Sequence, residues 1–132
     1  GAVHGLAGPL GARFSIPHGI ICAALLPPVI AANISALRVE SPEHPTLQRY
    51  ETIAGILTRE SDAGSLEKFL VGLLKELNIP PLSKFGLNES HIPQLMPLSR
   101  QSSSMKYNPV KLSDEALAGI LRAGIAGYPD AK

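Results

Sequence analysis

Tryptophan is absent, and phenylalanine and tyrosine together supply only 5% of the residues. A core built from this chain must therefore interlock Leu, Ile, Ala and Val rather than large rings. There is a single cysteine, Cys22, which excludes an internal disulfide. A reducing cytoplasm is the simplest home for such a chain. Charge of either sign is nearly balanced, at a formal +1, and lysine and arginine form no cluster. That argues against nucleic acid or a membrane surface as the main partner. Long apolar runs are missing as well. The longest, about residues 20–34, is interrupted by Pro27 and Pro28. It falls short of the roughly 20 residues a membrane span needs. No positively charged lead precedes it, so no signal peptide is expected.

No stretch alternates like a half-buried strand over more than a few residues, and no internal repeat or low-complexity tract occurs. There is no Cys-x-x-Cys pair, no Gly-x-Gly-x-x-Gly after a strand, and no Ser–His–Asp set that can be assembled.

Helical spacing is what the chain does have. With 132 residues, 45% of them apolar, it is expected to fold as one domain. Leu66, Phe69, Leu70, Leu73, Leu74 and Leu77 repeat at helical intervals. Ser65 is placed to cap that helix and Glu67 favours its positive end. Asn78 and Pro80-Pro81 stop it. Pro45 suits a helix start, followed by Leu47, Tyr50, Ile53, Ala54 and Leu57 on one face. Ser113, with Asp114 and Glu115, opens a last helix that turns Ala116, Leu117, Ile120 and Leu121 inward and ends at Gly127-Tyr128-Pro129. Residues 18–37 are apolar nearly all round, which predicts a helix buried on most sides and kinked or split at Pro27-Pro28. Residues 88–101 read as a weaker helix limited by Pro93 and Pro97, and residues 102–109 as a polar loop able to line a cleft. The fold class expected is an all-α bundle of about five helices with short connections.

Two of the four histidines, His4 and His18, flank a stretch crowded with helix breakers. In one straight helix, fourteen steps of ~1.5 Å would hold their rings ~21 Å apart. Gly8, Pro9 and Gly11 can instead end a short helix carrying His4, and Pro17 can open the next, with His18 in its first turn. Such a reversal brings both rings to one point. Imidazole is the commonest metal-binding side chain, yet two histidines make only half a site. On spacing alone the plainer reading is that they cap or bond a carbonyl. His44, in a polar link, and His91, in the first turn of a modest helix, are read as structural. Cys22, one turn after His18, is read as a small buried apolar group.

The run His4-Gly5-Leu6-Ala7-Gly8-Pro9-Leu10-Gly11, then Pro17-His18-Gly19 and Leu25-Leu26-Pro27, resembles a signature of the iron-containing (group III) alcohol dehydrogenases. The signature reads His, five residues, Leu-Gly, six residues, His-Gly, with a Leu-Pro step further on. Asn33, the segment Leu77-Asn78-Ile79-Pro80-Pro81-Leu82, Phe85-Gly86-Leu87 and the Asn108-Pro109 loop are similar to later parts of the same family. The resemblance covers nearly the whole chain and places it as the C-terminal helical domain of a dehydroquinate synthase-like fold.

The family has two domains: an N-terminal α/β domain that binds NAD or NADP, and a helical domain that supplies metal ligands. An Asp and a His come from one helix and two further histidines follow, which by motif position are His4 and His18. The ion, Fe²⁺ or Zn²⁺, polarises the alcohol or carbonyl oxygen during hydride transfer. Residues 1–132 then correspond to the helical metal-binding domain, with the nucleotide-binding domain and the first two ligands absent. The chain begins with Gly and reads as the middle of something, either a fragment or a cloning remnant. The resemblance implies that the fragment alone does not transfer hydride and binds metal weakly or not at all. Many members carry a histidine near the nicotinamide where this chain has Gly8, which implies a roomier substrate pocket lined by Gly8 and no relay role there. The missing domain is the first expected partner, and a face left bare predicts a dimer or larger assembly. A stand-alone, non-catalytic helical interaction module is the competing expectation.

Overall fold

A computed structural model describes residues 1–128; Pro129, expected to help end the last helix, lies outside the described residues. Among the described residues there are six α-helices, three short 3-10 turns and no strand. The all-α class holds, with one helix more than the spacing predicts. The helices are α1 (Ala2–Arg13), α2 (His18–Glu40), α3 (Pro45–Thr58), α4 (Gly64–Glu76), α5 (Ile92–Gln101) and α6 (Asp114–Ala126).

The central element is α2, packed against α1, α4 and α6. Nine of its residues are buried, including Ile21, Leu25, Ile34 and Leu37. Its 23 residues are long and apolar enough to cross a membrane by composition alone. Its place between three other helices is that of a core helix. The expected split at Pro27-Pro28 does not occur, and the helix runs through both prolines. Two missing N–H groups leave the carbonyls of Ala23 and Ala24 without their usual helical partners. One of these is recovered from the far end of the chain, where the hydroxyl of Tyr128 donates to the Ala24 carbonyl at 2.9 Å.

The first helix also overrides its local signals. Gly8, Pro9 and Gly11 do not end it; α1 continues to Arg13 with Pro9 inside. An interior proline costs about 3 kcal/mol. Burial of Ala2, Leu6, Ala7 and Leu10 opposes that cost, since each large aliphatic side chain removed from water contributes about 1.5–3 kcal/mol. The break falls later, in residues 14–17. Phe14 leaves the helix in extended conformation and meets His91 edge-to-face, ring centroids 4.9 Å apart. Pro17 is the N-cap of α2.

The remaining elements close around this pair. On α6, Ser113 caps the backbone of Ala116 as expected, and Leu117, Ile120 and Leu121 are buried. Gly124 permits its close approach to α2: a Cβ there would stand 2.8 Å from Leu25 Cδ2 and 3.1 Å from Leu82 Cδ1. Helices α3 and α4 form an outer pair, with only Leu47 and Ala54 buried on α3 and Leu66 and Leu74 on α4. Ser65 does not cap α4. Ala63 holds that position, and the Ser65 hydroxyl donates to the Asp62 carbonyl instead. Phe69, Leu73 and Leu77, expected on the inner face of α4, are exposed, as are Ile53 and Leu57 of α3.

Buried polar groups tie the periphery to the centre. Asn33 on α2, 2% exposed, accepts from the Asn108 amide at 2.8 Å and donates to the Tyr50 hydroxyl at 3.1 Å. Asn108 also donates to the Val110 carbonyl and accepts from the backbone N–H of Ala2 at 3.1 Å. The start of α1 is thereby fastened to α2 through the loop that follows α5. Residues 103–107 of that loop form a 3-10 turn rather than open coil, and its Met105 lies directly over Gly5.

Candidate metal centre

His4 lies in the first turn of α1 and His18 is the first residue of α2. Where the two helices cross, their imidazoles meet with centroids 5.3 Å apart and planes inclined by 43°. The reversal expected from the sequence is present, although the turn that makes it is residues 14–17 rather than the glycine-proline run. Both side chains are exposed, so neither ring is held in place by the core.

Cys22 joins them. Four residues after His18 on the same helix, it projects from the same face. Its Sγ stands 3.4 Å from Nε2 of His18. One donor atom from each of His4, His18 and Cys22 lies within 4.8 Å of the other two. Cys22 is half-buried rather than buried, and burial pushes its thiol up from the ordinary range. Cys22 packs against the core as the small apolar group expected, and its sulfur also faces the imidazole of His18, one turn away.

Among the described residues, no hydrogen bond engages the ring nitrogens of His4, and those of His18 meet only Cys22. Among the described residues, two adjacent surface imidazoles whose ring nitrogens meet no group but Cys22 suit a divalent transition metal. The donor set therefore fits an iron or zinc ion, as a part of its coordination shell.

Gly8 follows His4 by one turn on the same face of α1 and is exposed, with nothing within 4 Å of where its Cβ would be. The surface beside the imidazole pair is open at that point. The other two histidines lie elsewhere. His44 caps α3, its Nδ1 accepting from the N–H of Thr46 at 3.1 Å. His91 closes a capping box with Asn88, accepting the Asn88 N–H at 3.1 Å. Their structural reading holds. A cleft of about 770 Å³ runs between α3 and α4 past Leu57, Phe69 and Leu73, and touches neither His4 nor His18. A smaller one, about 380 Å³, is lined by Met105, Lys106 and Asn108 of the polar loop.

Residues 1–125 match the Fe-containing alcohol dehydrogenase family, C-terminal part. Lactaldehyde reductase of Escherichia coli K12 is 33% identical over 103 residues, which is 72% of this chain and 25% of that protein. A 1,3-propanediol dehydrogenase of Klebsiella pneumoniae is 28% identical over 123 residues, 92% of this chain and 31% of that one. Among solved structures, a 1,3-propanediol oxidoreductase superposes with a TM-score of 0.79 at 24% identity, over 94% of this chain and 32% of its own. An archaeal halo-thermophilic Red Sea brine pool alcohol dehydrogenase superposes with a TM-score of 0.75 at 27% identity, over 92% and 32%. The chain spans a quarter to a third of the length of these relatives.

Proposed function

The chain belongs to the Fe-containing alcohol dehydrogenase family, whose C-terminal part its residues 1–125 match, and we propose that it is the helical, metal-holding part of an NAD(P)-dependent alcohol dehydrogenase or carbonyl reductase. The observation that carries this reading is the meeting of His4 and His18, 5.3 Å apart, from two different helices. In this reading their ring nitrogens are two of the four ligands to an iron or zinc ion, and an Asp and a His from a preceding part supply the rest. When bound, the ion supplies Lewis-acid polarisation of the substrate oxygen while hydride passes to or from the nicotinamide.

The residues of this chain have three tasks in that chemistry. His4 and His18 hold the ion at the surface that faces the missing part, so the reaction is placed at the junction between the two. The turn at residues 14–17 and the Asn33–Asn108 bonds fix the angle at which the two imidazoles approach. Gly8 leaves the wall beside His4 free of side chains, which makes room for a substrate. The cofactor and most of the substrate contacts belong to the preceding part. A chain holding two of four ligands transfers no hydride by itself, and two imidazoles alone hold an ion weakly.

The partners proposed are the nucleotide-binding part and further copies of the chain, in the cytoplasm. Ile56 at 75% exposure and Leu77 at 60%, with Phe69 and Leu73 between them, are apolar groups that association would cover. Light scattering at micromolar concentrations is expected to give a dimer or larger species, and a monomer throughout would overturn that part.

The test of the function joins this chain to a nucleotide-binding part, sought in the frame that precedes it. The expected result is metal-dependent, NAD(P)-linked oxidation of small alcohols. His4→Ala and His18→Ala should each abolish both bound metal and turnover while leaving the helical circular dichroism intact. Turnover that persists in both variants would sink the reading. An upstream frame encoding no nucleotide-binding fold would favour a non-catalytic helical module instead.

A further inference from the structure

The reading above uses His4 and His18 and leaves Cys22 without a task. It packs against the core at the edge of the imidazole pair. It is half-buried, one turn along α2 from His18, with its sulfur turned toward the imidazole nitrogen at 3.4 Å. Zinc–nitrogen bonds of about 2.0–2.1 Å and zinc–sulfur bonds of about 2.3 Å place two ligands of a tetrahedral ion about 3.5 Å apart. The Cys22–His18 separation already fits such a pair. The His4 donor lies within 4.8 Å of both, and its exposed side chain can close the remaining ångström by a change of rotamer.

We propose that, in this chain taken alone, Cys22 is a third metal ligand beside His4 and His18, in a place that a ligand of the preceding part fills in the joined protein, so that the chain presents a His, His, Cys donor set that prefers zinc or cobalt to magnesium or calcium. The proposal rests on His4 and His18 being ligands and extends that reading. Sulfur is the donor that separates borderline and soft ions from hard ones, which oxygen ligands favour. The step balances without an oxidant: the S–H bond breaks, the sulfur–metal bond forms, and the proton passes to solvent. A third donor also sets this chain apart from a bare pair of imidazoles. Three donors from two packed helices hold an ion that two imidazoles alone would release.

The experiment is a titration of the 132-residue chain with Co²⁺, read by absorption. The expected spectrum has visible d–d bands of a tetrahedral ion and a near-ultraviolet thiolate-to-cobalt charge-transfer band. Cys22→Ser should remove the ultraviolet band and weaken Co²⁺ binding about tenfold or more, the scale on which groups around a metal act. His4→Ala and His18→Ala should weaken both sets of bands together. Magnesium should not compete. The wild-type chain loaded with zinc gives a readout that needs no variant, a sulfur scatterer at about 2.3 Å in X-ray absorption.

Visible bands that depend on His4 and His18, with no ultraviolet band and no effect of Cys22→Ser, would overturn the proposal and leave the histidine reading standing. Bands that survive both histidine variants would instead overturn the histidine reading, and the proposal with it. No Co²⁺ binding by the wild-type chain up to millimolar concentration would also overturn the proposal, because three donors this close together must hold the ion.

Discussion

The side-chain amide of Asn108 donates to Oδ1 of Asn33 at 2.8 Å across 75 residues of sequence, and the Asn33 amide returns toward Asn108 Oδ1 at 3.4 Å. The same Oδ1 accepts the backbone N–H of Ala2, two residues before His4. One amide pair thus sets the start of the His4 helix against the His18 helix. Asn108→Ala would leave the buried Asn33 oxygen and the Val110 carbonyl short of a donor. The expected cost is about 2 kcal/mol, seen as a lower urea midpoint at unchanged slope. Co²⁺ affinity should fall too, since His4 loses its tether. A variant as stable as the parent would show that the pair is not a fastening.

Gly5 and Gly8 make opposite predictions on the same helix. A Cβ at Gly5 would stand 2.8 Å from Met105 Cε and 3.3 Å from Met105 Cα, so side chain and backbone must both give way. Gly5→Ala is expected to destabilise by about 1–3 kcal/mol. Gly8 has nothing within 4 Å, and Gly8→Ala should gain up to about 1 kcal/mol from helix propensity. Thermal melts of the two variants check the difference in sign. In the joined enzyme a large side chain at Gly8 should raise KM for bulky alcohols more than for small ones.

Tyr128 makes a prediction in pH. Burial first, and the charge of Glu67 second, push its hydroxyl up from the ordinary tyrosine range. The folded chain thus keeps the proton while the unfolded chain loses it near pH ~10. Stability should be level below that pH and fall as pH rises above it, because the unfolded state then binds fewer protons. Tyr128→Phe should flatten the alkaline decline and lose the bond to Ala24, costing about 1 kcal/mol near neutrality. Urea midpoints between about pH 8 and about pH 11 would show it. An alkaline slope identical in parent and Phe variant would refute it.

The parts of the fold that were legible in the sequence are those set by local pattern and burial together. Ser113 caps α6, Pro45 opens α3 and Asn78 stops α4 with φ of 54°. The misreadings fall where a local breaker met a buried face. Pro9 in α1 and Pro27-Pro28 in α2 sit between residues such as Leu6, Leu10, Leu25 and Val29. Packing of those residues outweighs the missing hydrogen bonds, and no window of sequence carries that information. The outward turn of Phe69 and Leu73 was hidden for the converse reason: a leucine-rich helix with six apolar positions has more than its neighbours can cover. At the site, the pairing of His4 with His18 was legible as a reversal. Cys22 was legible as an apolar residue one turn from His18; its closeness to His4 was not, because that depends on how α1 crosses α2.

Both ends of the described chain are fastened to one helix, Ala2 through Asn108 and Asn33, and Tyr128 through Ala24. Opening therefore has no natural starting point at the first or last residues. The loosest part is the outer pair α3 and α4, each with two buried residues. Amide protons there should exchange through local excursions of low free energy, while those around Ile21, Leu25 and Leu37 wait for the whole molecule to open. The imidazoles, carried on the slow-opening pair α1 and α2, keep their spacing while the outer layer breathes.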